Sequence, residues 1–323
     1  MTSVLTIEGL NVSFRTRSGL LRAVRDFDLD VRERETVALV GESGSGKSVT
    51  SLSLLGLLPP DTTSIEVKRL VIDGRDLKSA GKREIRDIRG NVAAMIFQEP
   101  MTSLNPVLTI GRQIVEALEA HAVAFGAAAW ERAGQLLDLV RLPDARRRIR
   151  DYPHQLSGGM NQRVVIALAI ACNPRLLIAD EPTTARDVTI QAQIMKLIRD
   201  LREEMGMGIL LITHDLALVA QNAERVAVMY AGRKVEEGKV ADVLRSPMHP
   251  YTAGLLGASP SPDSGDRLAE IPGIVPSLAE MPGGCAFAPR CSRASDRCRS
   301  EVPPGRQFGD RSVSCFNLVQ SPS

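Results

Sequence analysis

An eight-residue segment combines glycines, a lysine and a serine at a spacing that suits phosphate binding. Residues 41–48 read Gly-Glu-Ser-Gly-Ser-Gly-Lys-Ser and fit the pattern G-x-x-x-x-G-K-S/T. Glycines let successive backbone N–H groups turn inward around phosphate oxygens, and a helix that begins at the lysine adds the positive end of its dipole. The segment therefore predicts a triphosphate site in which Lys47 reaches the β- and γ-phosphates and the Ser48 hydroxyl binds Mg²⁺. The residues predicted to bind the nucleotide here are Gly41, Ser43, Gly44, Ser45, Gly46, Lys47, Ser48 and Val49.

Two adjacent carboxylates, Asp180 and Glu181, follow an apolar run at 176–179. Phosphoryl-transfer enzymes commonly hold the metal and its water at the carboxyl end of such a strand. We expect Asp180 to bind Mg²⁺ through water and Glu181 to act as the general base that polarises the attacking water. Because many strands end in acidic turn residues, the pair indicates a catalytic metal site only in combination with the phosphate loop.

Sequence patterning predicts the elements that must position these groups. Short strands are predicted at 4–7, 12–14, 23–31, 36–40, 65–72 and 92–97. After the phosphate loop, apolar residues recur at helical spacing until Pro59 and Pro60, and 109–172 is mostly helical in pattern. The runs 176–180 and 208–213 are typical of buried parallel strands joined by crossover helices. The patterns therefore predict an α/β fold with an inserted helical block.

Residues 156–163, Leu-Ser-Gly-Gly-Met-Asn-Gln-Arg, open a helix that is apolar nearly all round and is expected to be buried. Leu-Ser-Gly-Gly at a helix start is the signature of ATP-binding-cassette (ABC) proteins, and the chain resembles that family throughout 1–258. The motifs also follow the family order, which is phosphate loop, Gln98, signature, Asp180, Glu181 and His214. The resemblance implies a P-loop NTPase fold of the ABC nucleotide-binding type. It also implies ATP hydrolysis and a helical subdomain at about 99–172.

The resemblance implies that the signature acts on a partner subunit. Ser157 and the N–H groups of Gly158 and Gly159 would form a second anion site at a helix start. In the family this site closes on the γ-phosphate held by the partner's phosphate loop, so two ATP molecules lie inside a head-to-tail dimer.

Other positions take their expected roles from the family. Gln98 resembles the glutamine that contacts Mg²⁺ and links to the helical block, and His214 resembles the switch histidine that contacts the γ-phosphate. Phe14 matches the position whose ring stacks on adenine, with an ordinary edge-strand core residue as the alternative. The implied Mg²⁺ ligands are Ser48, Gln98 and Asp180, and the implied catalytic residues are Glu181, His214 and Gln98.

Three longer stretches, at 97–106, 152–155 and 249–252, are similar to the dipeptide/oligopeptide permease ATPases. That resemblance implies a second ABC ATPase subunit, often a paralogue, two transmembrane permease subunits and, indirectly, an extracytoplasmic substrate-binding protein. The chain would lie peripherally on the cytoplasmic face of a bacterial or archaeal membrane and power peptide import. Nickel-importing relatives share most of these stretches, so nickel or another small solute is the alternative cargo.

The sequence departs from the family pattern at a few positions. Arg186 replaces an apolar residue in a loop that faces the partner's nucleotide, while Asp187 is kept, so altered coupling at one site is expected rather than loss of hydrolysis. Arg34 stands where a turn glycine is common, which predicts a strained turn. Asn161 replaces a frequent arginine after the signature, with a mild expected effect.

The segment 259–323 is rich in Pro, Gly and Ser and contains four of the five cysteines. These four, Cys285, Cys291, Cys298 and Cys315, predict a tetrathiolate site for Zn²⁺ or an iron–sulfur cluster, or else are unligated. In the permease ATPases that the chain resembles, this tail is associated with a [4Fe–4S] cluster, which is therefore the favoured interpretation. The expected organisation is an ATPase domain at 1–258 and a small Cys-rich extension at 259–323.

Composition excludes several other classes of protein. The net charge of +2 and the 3% aromatic content argue against a nucleic-acid partner. The N-terminus lacks a secretory pattern, and the longest apolar run, 164–172, is shorter than the roughly 18 residues of a membrane span. A soluble family member in DNA repair or translation usually has two cassettes or long insertions, which are missing here. A non-hydrolysing regulatory partner is disfavoured by Glu181.

Overall fold

The computed structural model describes residues 2–17, 19–98, 103–183, 188–258 and 270–319. Its strands are β1 Ser3–Thr16, β2 Gly19–Arg32, β3 Thr36–Val40, β4 Thr63–Glu66, β5 Arg69–Ile72, β6 Arg75–Asp76, β7 Ala93–Ile96, β8 Leu176–Asp180, β9 Gly208–Thr213, β10 Arg225–Tyr230, β11 Arg233–Lys239, β12 Arg306–Phe308 and β13 Arg311–Val313. Its α-helices are α1 Lys47–Leu54, α2 Lys82–Ile88, α3 Ile110–Ala120, α4 Gly126–Leu139, α5 Ala145–Arg148, α6 Gly158–Ile170, α7 Val188–Met205, α8 Leu216–Asn222, α9 Val240–Arg245, α10 Pro250–Gly257 and α11 Asp296–Ser300. Pro153–Gln155 and Ala288–Arg290 form single 3₁₀ turns.

The chain divides into two compact units, each built from separate segments. The first unit covers 1–5, 31–35 and 71–210, and the second unit covers 6–30, 36–70 and 211–323. No helix within the described ranges is both long enough and apolar enough to span a bilayer.

In the second unit, β3 leads into the phosphate loop. Five strands of this unit are neighbours in one sheet in the order β12-β13-β11-β10-β3, with β3 parallel to β10 and β10 antiparallel to β11. All five residues of β3 are buried, as expected for a parallel strand that is covered on both faces. In the same unit, β1 pairs antiparallel with β4 and places Phe14 opposite Thr63.

In the first unit, β7 lies parallel to β8, with Ala93 opposite Leu176 and Ile96 opposite Ala179. β8 is buried along its whole length. The predicted helical block is present, because α3, α4 and α6 pack against one another. α6 buries most of its side chains all round its axis, which agrees with its nearly uniform apolar pattern.

The first helix ends earlier than its apolar pattern suggests. Gly56 has a φ of +59° and donates its N–H to the Ser53 carbonyl, while the Leu57 N–H reaches the Leu52 carbonyl at 2.9 Å. This pair of hydrogen bonds is the Schellman arrangement, which satisfies the last carbonyls of a helix. Gly56 therefore stops α1, and Pro59 and Pro60 follow outside it.

One further prediction differs from the structure, and another, the strained turn at Arg34, agrees with it. The predicted strand at 65–72 is split into β4 and β5. Arg34, in the turn before β3, has a φ of +59°, which a side chain adopts only with strain. The Arg34 guanidinium donates to the Glu203 carbonyl at 2.7 Å, so an interaction with the end of α7 helps to hold the turn.

Candidate functional site

The phosphate loop lies in the second unit, between the end of β3 at Val40 and the start of α1 at Lys47. Gly44 and Gly46 have φ angles of +78° and +105°, which favour glycine. A Cβ atom at Gly46 would lie 2.9 Å from the Ala23 carbonyl oxygen. The sequence therefore places glycines where the backbone must turn back on itself, as a loop that directs N–H groups toward an anion requires.

The Lys47 side chain is held by the loop itself. Its ammonium donates to the Gly41 carbonyl at 2.7 Å and to the Glu42 carbonyl at 3.0 Å. Lys47 is buried, whereas Ser43, Gly44 and Ser48 are exposed. The loop thus combines a fixed cation with accessible backbone amides and the hydroxyl predicted for Mg²⁺.

Two residues that sequence reasoning did not assign to the site hold Glu42, the second residue of the loop. The Tyr251 hydroxyl accepts a hydrogen bond from the Glu42 N–H at 2.8 Å. The Arg290 guanidinium donates to both oxygens of the Glu42 carboxylate, at 2.6 and 3.0 Å. Tyr251 belongs to the 249–252 stretch that resembles the permease ATPases, which is the only feature of the sequence that could have indicated its role. No local sequence pattern indicates the role of Arg290.

His249 fixes the start of the helix that carries Tyr251. His249 is buried, and burial lowers its pKa to about 3, so the imidazole is neutral at physiological pH. Its Nδ1 accepts a hydrogen bond from the Tyr251 N–H at 3.0 Å and caps α10, which begins at Pro250. His249 therefore has a structural role in positioning Tyr251.

The acidic pair lies in the first unit, together with Gln98. Asp180 is buried at the end of β8, and Glu181 follows it with a φ of +45°. The Gln98 side-chain amide donates to a Glu181 carboxylate oxygen at 2.7 Å. The structure thus brings together two of the three predicted catalytic side chains, with the predicted metal-binding carboxylate next to them in the chain.

The signature opens α6 in the first unit with an accessible N-terminus. Ser157 is the N-cap and its hydroxyl accepts from the Met160 N–H at 3.3 Å. Ser157 and Gly158 are exposed, and beyond the local backbone no atom of the described residues lies within 4 Å of a Cβ built on Gly158. Asn161, which is buried, donates to the Pro153 carbonyl at 3.0 Å and ties the helix start to the preceding 3₁₀ turn.

His214 and Phe14 lie in the second unit. His214 is exposed immediately after β9, and the next residue, Asp215, caps α8 by accepting from the N–H groups of Ala217 and Leu218 at 2.8 and 3.1 Å. This cap fixes the backbone that follows His214. Phe14 is half-buried in β1.

The predicted nucleotide-site residues are thus distributed over both units. Residues 41–49, Phe14 and His214 belong to the second unit, and Gln98, Asp180, Glu181 and the signature belong to the first. Arg186 and Asp187 lie outside the described residues, so the expectation of altered coupling stays a prediction.

The four C-terminal cysteines line one small cavity in the second unit, together with the His249 and Phe287 rings. None of them forms a disulfide. Burial raises the pKa of Cys315 to about 11 and also raises the pKa of Cys285 and Cys291. Among the described residues, no three His, Cys, Asp or Glu side chains are arranged to hold a metal ion.

The chain is similar to two protein families and to solved structures of ATP-binding cassettes. A family model described as ABC transporter matches residues 24–184, and one described as the C-terminal region of oligopeptide/dipeptide transporters matches 235–298. The structure resembles the dimeric ATP-binding cassette MJ0796 in a post-hydrolysis state bound to ADP and Pi (TM-score 0.63, 28% identity, 73% of this chain and 98% of that one). It also resembles cbiO1 from Clostridium perfringens, part of the ABC transporter complex cbiONQ (TM-score 0.62, 25% identity, 75% and 91% coverage).

Curated relatives match over almost the whole chain. A protein of Brucella abortus (strain 2308), provisionally named a peptide import ATP-binding protein, is 54% identical over 313 residues, which is 93% of each chain. A peptide ABC transporter ATP-binding protein of Sinorhizobium fredii, also provisionally named, is 50% identical over 302 residues, covering 93% of this chain and 90% of the relative. These matches confirm the resemblance inferred from the signature and the α/β fold of the ABC nucleotide-binding type, and the chain belongs to the ABC transporter family of ATP-binding proteins.

Proposed function

We propose that the chain is the ATP-hydrolysing subunit of an ABC transporter that imports di- or oligopeptides. The observation that carries this proposal is the Gln98–Glu181 hydrogen bond beside the buried Asp180 carboxylate, in a chain that also has an intact phosphate loop. The high identity to relatives that are named for peptide import supports the cargo class.

The second unit supplies the groups that bind the triphosphate. The loop amides and the Lys47 ammonium bind the β- and γ-phosphates, the Phe14 ring stacks on adenine, and His214 contacts the γ-phosphate. Ser48, Gln98 and Asp180 are the residues that would hold Mg²⁺, which supplies charge neutralisation at the phosphates when it is bound. Their hydroxyl, amide and carboxylate oxygens are the ligand types that this ion prefers.

The first unit supplies the base. Glu181 takes a proton from water as the water oxygen attacks the γ-phosphorus, and the bond to the bridging oxygen breaks to give ADP and phosphate. Gln98 donates to Glu181 and so fixes the carboxylate in position.

The signature completes the site of a second protomer. An exposed helix N-terminus with Ser157 as its cap is suited to an anion, and the helix has 13 residues to supply the dipole. The dimeric state of the related cassette MJ0796 supports a dimer here, and we propose that it is head-to-tail. The partner ATPase is a paralogue or a second copy.

The dimer drives two transmembrane permease subunits, with a substrate-binding protein on the far side. Several apolar side chains on and beside the helical block are exposed, as a docking face for apolar helices would require: Phe97, Val107, Val123, Phe125, Trp130 and Tyr152. This arrangement corresponds to an ATPase domain at 1–258 with its helical subdomain at about 99–172. We propose that the chain lies at the cytoplasmic face of the membrane.

The extension at 259–323 carries a metal centre at its four cysteines. Their common cavity and their free thiols support this assignment. We favour a [4Fe–4S] cluster over Zn²⁺ because the resemblance to the permease ATPases implies it. When bound, such a cluster would cross-link the extension through Cys285, Cys291, Cys298 and Cys315.

The hydrolytic role is tested by replacing Glu181 with glutamine. Removal of a general base is expected to lower the rate of ATP hydrolysis by about 100-fold or more while leaving ATP binding intact. Glu204→Gln, at an exposed position on α7, makes the same change of charge and should hydrolyse at the wild-type rate. Wild-type hydrolysis by the Glu181→Gln chain would refute the assignment of the base.

A further inference from the structure

We propose that Arg290 is a positioning residue of the ATP site, which holds and neutralises the Glu42 carboxylate inside the phosphate loop. The inference rests on the proposed binding of the triphosphate to that loop. Arg290 lies in the C-terminal extension, 248 residues from Glu42 in the chain. The extension would therefore contribute to the nucleotide site by positioning the phosphate loop.

The geometry of Arg290 is that of a fixed clamp. Its guanidinium makes a two-pronged contact with the Glu42 carboxylate, and it also donates to the carbonyls of Ile271 and Pro272 at 3.1 and 2.9 Å. The Arg290 side chain is only 4% exposed. The contact with Glu42 is the main reason why the pKa of Arg290 is raised. The Glu42 side chain is partly exposed, at 28%. A bidentate pair with a buried guanidinium is stronger and more directional than a surface ion pair.

The same region also holds the loop backbone. Tyr251, whose hydroxyl accepts from the Glu42 N–H, packs on Tyr230 with ring centroids 4.6 Å apart and on Phe287 at 5.4 Å. Phe287 directly precedes the 3₁₀ turn Ala288–Arg290. One aromatic cluster therefore sets the position of both contacts to Glu42, one to its side chain and one to its amide.

Charge explains why such a clamp is needed. Glu42 stands between Gly41 and Ser43, in the loop that is proposed to bind a highly anionic triphosphate. An uncompensated carboxylate in that position would repel the phosphates, and the repulsion is strong where water is partly excluded. Arg290 compensates this charge through its two hydrogen bonds to the carboxylate.

Nucleotide binding by the full-length chain tests the proposal. The probe is ADP with Mg²⁺, titrated calorimetrically, so that hydrolysis plays no part in the measurement. Arg290→Ala is expected to raise the dissociation constant about tenfold, because it leaves Glu42 charged and unpaired. Adding Glu42→Gln to Arg290→Ala removes the repulsive charge and should bring the constant back to within about threefold of the wild type.

Three further variants make the result decisive. Arg299→Ala breaks an exposed ion pair with Asp296 on α11 of the same extension and should bind as the wild type does. Arg290→Lys keeps the positive charge but cannot make the bidentate contact with Glu42, so its dissociation constant should lie between those of the wild type and Arg290→Ala. Arg290→Lys replaces Arg290→Ala in the comparison if Arg290→Ala does not fold. Lys47→Ala should abolish binding, and normal binding by that variant would refute the proposed phosphate site itself.

The proposal is overturned by either of two outcomes. One is unchanged ADP binding by a folded Arg290→Ala chain when Lys47→Ala no longer binds ADP. The other is weakened binding that Glu42→Gln does not restore, since Arg290 would then only support the fold of the extension.

Discussion

Glu181 has a φ of +45°, a backbone conformation that disfavours any residue with a side chain. Its carboxylate is nevertheless held at 2.7 Å by Gln98, and the preceding residue, Asp180, is buried. Strain of this kind persists only where the surroundings over-determine the conformation, and it concentrates at functional positions. At the residue scale, the turn after β8 therefore directs Glu181 away from the path of the strand and toward its hydrogen-bond partner.

Gly46 and Gly44 provide a matched pair for testing backbone strain in the phosphate loop. Both have positive φ angles, but a Cβ at Gly46 would approach the Ala23 carbonyl and the Met229 side chain, each at 2.9 Å, whereas a Cβ at Gly44 meets nothing within 4 Å. Gly44→Ala should lower the free energy of unfolding by about 1 kcal/mol through strain alone. Gly46→Ala should lower it by at least about 1 kcal/mol more, because an overlap is added.

Denaturant unfolding of the nucleotide-free chain measures both effects. Equal losses of stability for the two variants would contradict the close approach at Gly46.

At the scale of elements, the sequence predicts those strands and helices whose apolar pattern is unbroken. Thr36–Val40 and Leu176–Asp180 are continuous apolar runs, and both form buried strands as expected. The sequence pattern predicts that Pro59 and Pro60 end α1, but Gly56 stops the helix about one turn earlier. A glycine that forms a Schellman motif cannot be distinguished from other glycines by residue type alone. The Glu42–Arg290 pair could not be foreseen, since it depends on how distant segments pack.

The metal content of the extension is a prediction at the same scale. Full-length chain purified without oxygen should contain about four iron and four acid-labile sulfide atoms per chain. Cys298→Ser should lose them, while Cys172→Ser, which changes the cysteine outside the extension, should retain them. About one zinc per chain without sulfide would favour the alternative ion. Neither metal in stoichiometric amount would contradict a metal centre at these cysteines.

At the scale of the whole molecule, each compact unit is assembled from separate segments of the chain. The first unit takes 31–35 from within the region that otherwise belongs to the second, so sequence order alone does not reveal the units. The order of motifs still identified the family, because phosphate loop, signature and acidic pair are each recognisable locally. Roles that depend on a second protomer, above all that of Ser157, are not visible in one chain and remain proposals.

The most direct measurement of the shared ATP site is a crosslink between protomers. Ser43→Cys and Ser157→Cys, both at exposed positions, are placed on differently tagged chains that also carry Glu181→Gln, and the chains are mixed. Each variant alone gives the background from the native cysteines. The account predicts a crosslink between the two tags that forms with ATP and Mg²⁺ and is lost without nucleotide or with Lys47→Ala. A crosslink that forms equally without ATP, or none when both chains bind ATP, would contradict it.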